Sequence, residues 1–463
     1  MRKLPGALLG TLLVSCVSVP RDAGLSEVQA RTSANVAWSA APATTDHERV
    51  RTLLENELTA DNAVAIATLN NPRLQVTLAE LGIARADLIE ASTIANPLFE
   101  VELRFPSEPY RPFELRLAQS LVELIQLPRR RAIGRAAFDA AQMRVSSEVL
   151  RFGADVRVTY FELLAASLQL AQRRTLFASA QTAVDVAQRQ HAAGNITDLD
   201  YENEQARYEQ AKLSLARGER DVLVAREALL RAMSLRDPSI EWRLPAAFPE
   251  LPADEATQEQ LEQLAATQRL DLAIARRELE IAEKRIPLAR LAVLGETEID
   301  VHYEREPSGE HTVGPGLVLP IPIFNTGRAG RTRAEAEYLR ARHMVNVLTT
   351  ESASSLRTVS ATLAEARARA EYYRDVVLPR RKRIVELTKL EHNAMLIGVF
   401  QLLQARENEA QAERELIDAQ RDYWSARIDL DRALQGIAND ASFDAATEPG
   451  SGKSANRRNQ GGH

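Results

Sequence analysis

Three side chains could do soft-metal chemistry: His392, Met395 and Met344 bring an imidazole and two thioethers to one expected helical rod, donors of the kind that hold copper. Methionine at helical spacing is more often core packing, and a lone histidine beside a turn is more often solvated, so no metal is assigned. Gly450-Ser451-Gly452-Lys453-Ser454 looks like the end of a phosphate-binding loop. The first glycine that loop requires falls at Thr447, however, with no strand before it and no helix after it. Asp198, Asp200 and Glu202, just beyond Gly194 and Asn195, could meet a protein partner, yet acidic residues that open a helix are also explained by capping and the helix dipole. The chain contains no H-E-x-x-H, G-x-S-x-G, C-x-x-C or G-x-G-x-x-G. The expectation is no enzyme and no cofactor.

One reactive group remains. Cys16 is the only cysteine, so no internal disulfide is possible. Arg2 and Lys3 precede an apolar stretch, Leu4 to Val14, too short to span a bilayer but suited to a secretory signal. That stretch ends at Leu13-Val14-Ser15-Cys16, which resembles a lipoprotein lipobox and makes Cys16 the candidate lipidation site. The plain alternative is an ordinary signal with a stray cysteine. Val17 stands where an Asp would favour retention in the inner membrane, and by that resemblance the destination is the outer membrane.

The elements that must carry these residues are long. Aromatics make up 5% of the 463 residues and charged residues 26%, with a net charge of −6, while Ala, Leu, Arg, Glu and Gln dominate. Such a composition favours solvated helices and offers no basic face for nucleic acid. Beyond the signal, no apolar run approaches the roughly 20 residues of a transmembrane helix, so a membrane crossing must use strands.

The same plan is read twice: 1–15 as signal, 16–45 as anchor and tether, 46–250 as a first repeat, 251–440 as a second, and 441–463 as a disordered tail. Each repeat ends in a helical hairpin, 129–235 and 328–437, whose first rods cover about 129–193 and 328–392. At ~1.5 Å per residue these rods are on the order of 100 Å long, too long for a globule. Apolar residues recur at threes and fours: Val145, Val149, Phe152, Val156, Tyr160 and Leu163 in the first rod, and Leu356, Val359, Leu363, Ala366, Ala370, Tyr373 and Val377 in the second. Pro379 should bend the second rod near its far end. The rods reverse around Gly194-Asn195 and Met395 to Gly398.

Ahead of each rod the period changes to two, marking strands over about 97–106, 112–121, 296–305 and 312–320. Leu98, Val101, Leu103 and Phe105 interleave with Glu100, Glu102 and Arg104, and Ile299, Val301 and Tyr303 with Glu298, Asp300, His302 and Glu304. Strands of about 9 to 11 tilted residues with one apolar and one charged face have the dimensions of a membrane barrel. A soluble hairpin packed on a helix is the alternative. The export signal, the long rods and the fully charged face weigh against it. Lipid tolerates no open sheet edge, and four strands are too few to close a barrel, so several chains must contribute.

With these features in place, residues from about 50 to 437 resemble the TolC-like outer membrane efflux protein family, including its lipid-anchored members. Asn70-Asn71-Pro72-Arg73-Leu74, Ala95-Asn96-Pro97-Leu98, the junction Leu319 to Arg328, and the turns Gly194 to Leu199 and Gly398 to Leu403 carry the resemblance. It implies a mainly α fold with a β-barrel contribution: a homotrimer closing a twelve-stranded barrel above a helical periplasmic tunnel. Its partners would be outer-membrane lipid, a periplasmic adaptor protein meeting the turns at Gly194, Asn195, Asp198 and Gly398, and a proton-driven inner-membrane transporter. The positions matching the acidic constriction of some members are Gln401 and Gln404, which form no fixed negative ring. The implied function is a passive exit duct for small toxic compounds or metal ions. A protein-secretion duct and a non-channel coiled-coil tether remain as alternatives.

Overall fold

The computed structural model describes residues 22–437 apart from 35–43, 104–112, 238, 296 and 307. Cys16, Arg104, the Gly450–Ser454 stretch and the expected tail lie outside the described residues. In chain order come α1 (Leu25–Thr32), α2 (Thr44–Glu55), α3 (Ala60–Asn70), α4 (Pro72–Ser92), β1 (Leu98–Leu103), β2 (Phe113–Ser120), α5 (Leu121–Ala192) and α6 (Asp198–Met233). After a connecting segment follow α7 (Gln258–Gln268), α8 (Leu270–Leu291), β3 (Glu298–Arg305), β4 (His311–Val318), α9 (Arg328–Tyr372), a π-helical turn (Tyr373–Val377), α10 (Leu378–Asn393) and α11 (Val399–Gln435). Helix pair, strand pair and long hairpin thus occur twice. No described helix is long and apolar enough to cross a membrane.

The first rod starts at Leu121, earlier than the expected 129, because Ser120, the last residue of β2, is also its N-cap and accepts from the Glu123 N–H. Its 72 residues make a helix of about 110 Å. The second rod is interrupted. Pro379 lacks an N–H and its ring crowds the carbonyl of Asp375, and the helix widens into a π turn over Tyr373–Val377 to accommodate it.

Burial follows the seam. Val145, Val149, Val156, Tyr160 and Leu163 are buried on α5, and Leu356, Leu363, Ala366 and Ala370 on α9. The main core lies partway along the rods, where Tyr160, Phe161 and Leu164 meet Leu58, Ile66, Leu229, Met233 and Ile417. Phe161 stacks on Trp424 with ring centroids 5.2 Å apart. A second cluster joins Leu261 of α7 to Leu356, Leu363, Tyr423 and Leu430. The segment connecting the repeats is stapled there by Glu255, which accepts from the Tyr423 hydroxyl at 2.6 Å and pairs with Arg367 at 3.4 Å and with Arg427.

The Asn70-Asn71-Pro72 motif works at a junction. Asn71 caps α4 by accepting from the Arg73 N–H at 2.8 Å, and its amide donates to the Ala232 carbonyl near the end of α6, also at 2.8 Å. Asn70 donates to Met233 and Ser234 beside it. In the second repeat Arg269 holds the corresponding place, donating to the Ala433 carbonyl at 3.1 Å near the end of α11. Different side chains thus cap the C-terminal carbonyls of the two return helices.

Candidate functional site: a two-faced sheet and two hairpin tips

The four strands form one antiparallel sheet in the order β1-β2-β3-β4, which leaves one edge of β1 and one of β4 without a partner among the described residues. The register places Glu100, Arg116, His302 and Gly314 in one cross-strand row and Glu102, Glu114, Glu304 and Thr312 in the next. Because side chains alternate across a strand, all of these share one face with Asp300 and Glu298. The other face carries Phe99, Val101, Leu103, Leu117, Ile299, Val301, Val313 and Leu317, every one exposed in the single chain. Exposed apolar residues this contiguous call for a lipid or protein cover. Toward the distal end of that face, Tyr303 packs on Phe113 with centroids 5.5 Å apart, and its hydroxyl meets His311 Nδ1 at 2.8 Å.

On the charged face Arg116 is the organiser. Its guanidinium lies 3.3 Å from Glu298, 3.4 Å from Asp300 and 3.6 Å from Glu100. Asp300 can fold down because β4 offers no side chain there: a Cβ on Gly316 would stand 2.4 Å from an Asp300 carboxylate oxygen. Gly314 likewise leaves room for the His302 ring.

At the far end of the rods, the first hairpin turns at residues 193–197. Gly194 adopts a left-handed conformation, Thr197 and Asp200 form a capping box, and His191 Nε2 meets Asp198 at 2.7 Å. Capping therefore accounts for Asp200, while Asp198 projects outward from the turn with its side chain 96% exposed. The second hairpin turns at 394–398 with Met395 in the left-handed region and 93% exposed. His392 Nδ1 lies 3.2 Å from the Ile397 carbonyl. Met344, some 48 residues up the rod, is about 70 Å from His392 along the helix and shares no site with it. Among the described residues no group of three or more His, Cys, Asp or Glu side chains is arranged to hold a metal ion.

Gln401 and Gln404 are both exposed on the first turns of α11. A hydrogen bond ties Gln404 to the first hairpin: Arg207 of α6 donates to Gln404 at 3.4 Å and to the buried Glu204 at 3.2 Å. Burial, the largest influence, raises the Glu204 pKa; Arg207 lowers it, and Glu407 and Asp200 raise it further. Sequence reasoning missed this link, since α6 and α11 lie nearly two hundred residues apart and Arg207 is one arginine among many.

Residues 63–234 and 261–436 match the outer membrane efflux protein family. This chain belongs to that family. As an outer membrane efflux protein it is a subunit of the exit duct of a tripartite efflux system, and members of the family are trimeric channels. The cobalt-zinc-cadmium resistance protein CzcC of Cupriavidus metallidurans is 23% identical over 382 residues, covering 80% of this chain and 85% of the relative. A membrane protein of Pseudomonas aeruginosa shares the fold with a TM-score of 0.67 at 22% identity, over 83% of this chain and 93% of the other. The CmeC outer membrane channel of Campylobacter jejuni does so with a TM-score of 0.64 at 15% identity, over 83% and 88%. The TolC-like resemblance read from Asn70–Leu74 and Leu319–Arg328 thus holds, and the expected helical and strand architecture with it.

Proposed function

We propose that three copies of this chain close a twelve-stranded barrel above a helical tunnel and that the assembly passes metal cations outward. The observation that carries the reading is the sheet: one face apolar and exposed, one charged, with both outer edges open. Lipid would cover the first face, water would fill the second, and neighbouring copies would pair the edges. Metal cargo is favoured by the relative named for cobalt, zinc and cadmium resistance. Small toxic organic compounds are the second cargo class, since a wide duct need not recognise what it carries.

In this reading the chain is anchored by acylated Cys16 and reaches far into the periplasm. An adaptor contacts the turns at Gly194, Asn195, Asp198 and Gly398. A proton-driven inner-membrane transporter supplies the energy, and Gln401 and Gln404 line the periplasmic gate. In a planar bilayer the purified protein should give discrete currents, and heating should convert an oligomer to monomer on a gel. A protein that carries no current and behaves as a soluble rod after delipidation refutes the channel. Loss of the gene should sensitise cells to cobalt, zinc or cadmium. Sensitivity to organic toxicants alone would move the assignment to the second class. Cys16→Ser should abolish lipid labelling, and Gln401→Asp with Gln404→Asp should raise cation selectivity.

A further inference from the structure

Where the sheet gives way to helices, the same arrangement occurs three times. Between β2 and the body of α5 stand exposed Ile125 and then exposed Arg129, nine residues past the strand end. In the last turn of α8 stands exposed Arg290, and between α8 and β3 stands exposed Leu294. Between β4 and α9 stand Ile321, Ile323 and Phe324, with Phe324 99% exposed, and then exposed Arg328. In each case an unburied apolar side chain lies next to the strand and an arginine lies just beyond it. The intervening distance is within about 15 Å of helix or loop.

These arginines differ from their neighbours. Arg130 and Arg131 are spent on the end of α4, donating to the carbonyls of Glu90 and Ser92. Arg129, Arg290 and Arg328 form no ion pair with a carboxylate among the described residues. Helical side chains lean toward the helix N-terminus. Helix α5 starts directly at β2 and α9 starts ten residues past β4, so Arg129 and Arg328 lean back toward the sheet, whereas Arg290, in the last turn of α8, leans the other way. In the chain these exposed apolar residues follow or precede the strand ends, and in a bilayer spanned by the strands the arginines would stand just past the end of the apolar band. An aliphatic or aromatic residue at the acyl boundary with an arginine at phosphate depth is the arrangement that binds anionic headgroups.

We infer that Arg129, Arg290 and Arg328, with Ile125, Leu294 and Phe324, form a collar that binds anionic phospholipid of the membrane leaflet facing the periplasm. The inference rests on the reading that the strands lie in the outer membrane. The collar would set the depth of the barrel and hold the strand-to-rod junctions against the headgroups.

The test uses the full-length protein and vesicles of phosphatidylcholine, alone or mixed with phosphatidylglycerol. Uptake is read by flotation. The lipid retained after gentle extraction from the mixed vesicles is then analysed. Retained phosphatidylglycerol should be enriched about fivefold over the vesicle composition at low salt, and less so at high salt. Combining Arg129→Gln, Arg290→Gln and Arg328→Gln should bring it to parity, and the three Lys replacements should restore most of it. Absence of enrichment, or enrichment that survives the Gln variant, overturns the collar while uptake into both vesicle types upholds the membrane reading. Failure of uptake into either vesicle defeats that reading and the collar with it. A photoreactive residue replacing Phe324 should label lipid. Labelling of a second copy instead would assign this surface to the subunit interface and overturn the inference.

Discussion

At the scale of single residues the informative groups are acids held where water is scarce. Glu204 is 4% exposed and has Arg207 at 3.2 Å, and burial raises its pKa more than the guanidinium lowers it. The native state therefore keeps this proton to a higher pH than the unfolded chain does. The associated stability is fully present below the ordinary glutamate value and is lost as pH rises through the raised one. Through this group, acidification from neutrality should accordingly add stability. Glu204→Gln should raise the melting temperature at pH 7 and shrink the gain on going to pH 5, by no more than the roughly 2–4 °C that corresponds to about 1 kcal/mol in a sizeable domain. A lower melting temperature for the variant at pH 7 would mean that the ion pair outweighs burial. Glycine supplies a second residue-scale case. Gly436, past the end of α11, has φ +68°, and a Cβ there would lie 2.1 Å from Asp271. Gly436→Ala should destabilise by about 1–2 kcal/mol, from left-handed strain and displacement of Asp271, as read by thermal unfolding.

Elements explain how much could be read in advance. The seam on α5 was legible because threes and fours of Val, Phe, Tyr and Leu bury one stripe of a helix whatever its partner. The strands were legible because Glu298, Asp300, His302 and Glu304 alternate with apolar residues. The Arg116 cluster was not, since it depends on register between strands nearly two hundred residues apart and on the absence of side chains at Gly314 and Gly316. Nor was the start of the first rod, expected at about 129, because it depends on Ser120 ending β2 and serving at once as the cap that lets the helix begin at Leu121. Pro379 lies between these cases: a bend was expected, and a π turn five residues long accommodates it. Pro379→Ala returns an N–H and removes the ring's crowding of the Asp375 carbonyl, so the turn should relax to a regular α-helix. Amide exchange over residues 373–383 should slow several-fold in the variant. Unchanged exchange would show that the π turn is imposed by packing on α11 instead.

For the whole molecule, the two hairpins share a plan but not a setting. Within one chain α5 lies in the middle, touching α3, α4, α6, α8 and α11, and it is buried along much of its length. The outer rod, α9, buries only Ala334, Leu356, Leu363, Ala366 and Ala370. Leu339 and Val347, two turns apart on one side of α9, are 50% and 45% exposed. A rod of this length with so narrow a buried stripe is stable in water only if a second surface covers it, because tertiary packing supplies most helical stability. On the proposed trimer, a neighbouring copy would be that cover and would also pair the edges of β1 and β4 that are open among the described residues. Folding and assembly should then separate cleanly by site. Leu339→Asp with Val347→Asp should leave the helical content of the chain near wild type while abolishing the heat-sensitive oligomer and its channel currents. Leu356→Ala, at a side chain only 1% exposed, should instead cost about 2–5 kcal/mol of chain stability whether or not the copies assemble. An oligomer that survives both aspartates would place the subunit contact elsewhere on the rods, and loss of helix in that variant would mean that α9 is covered within its own chain.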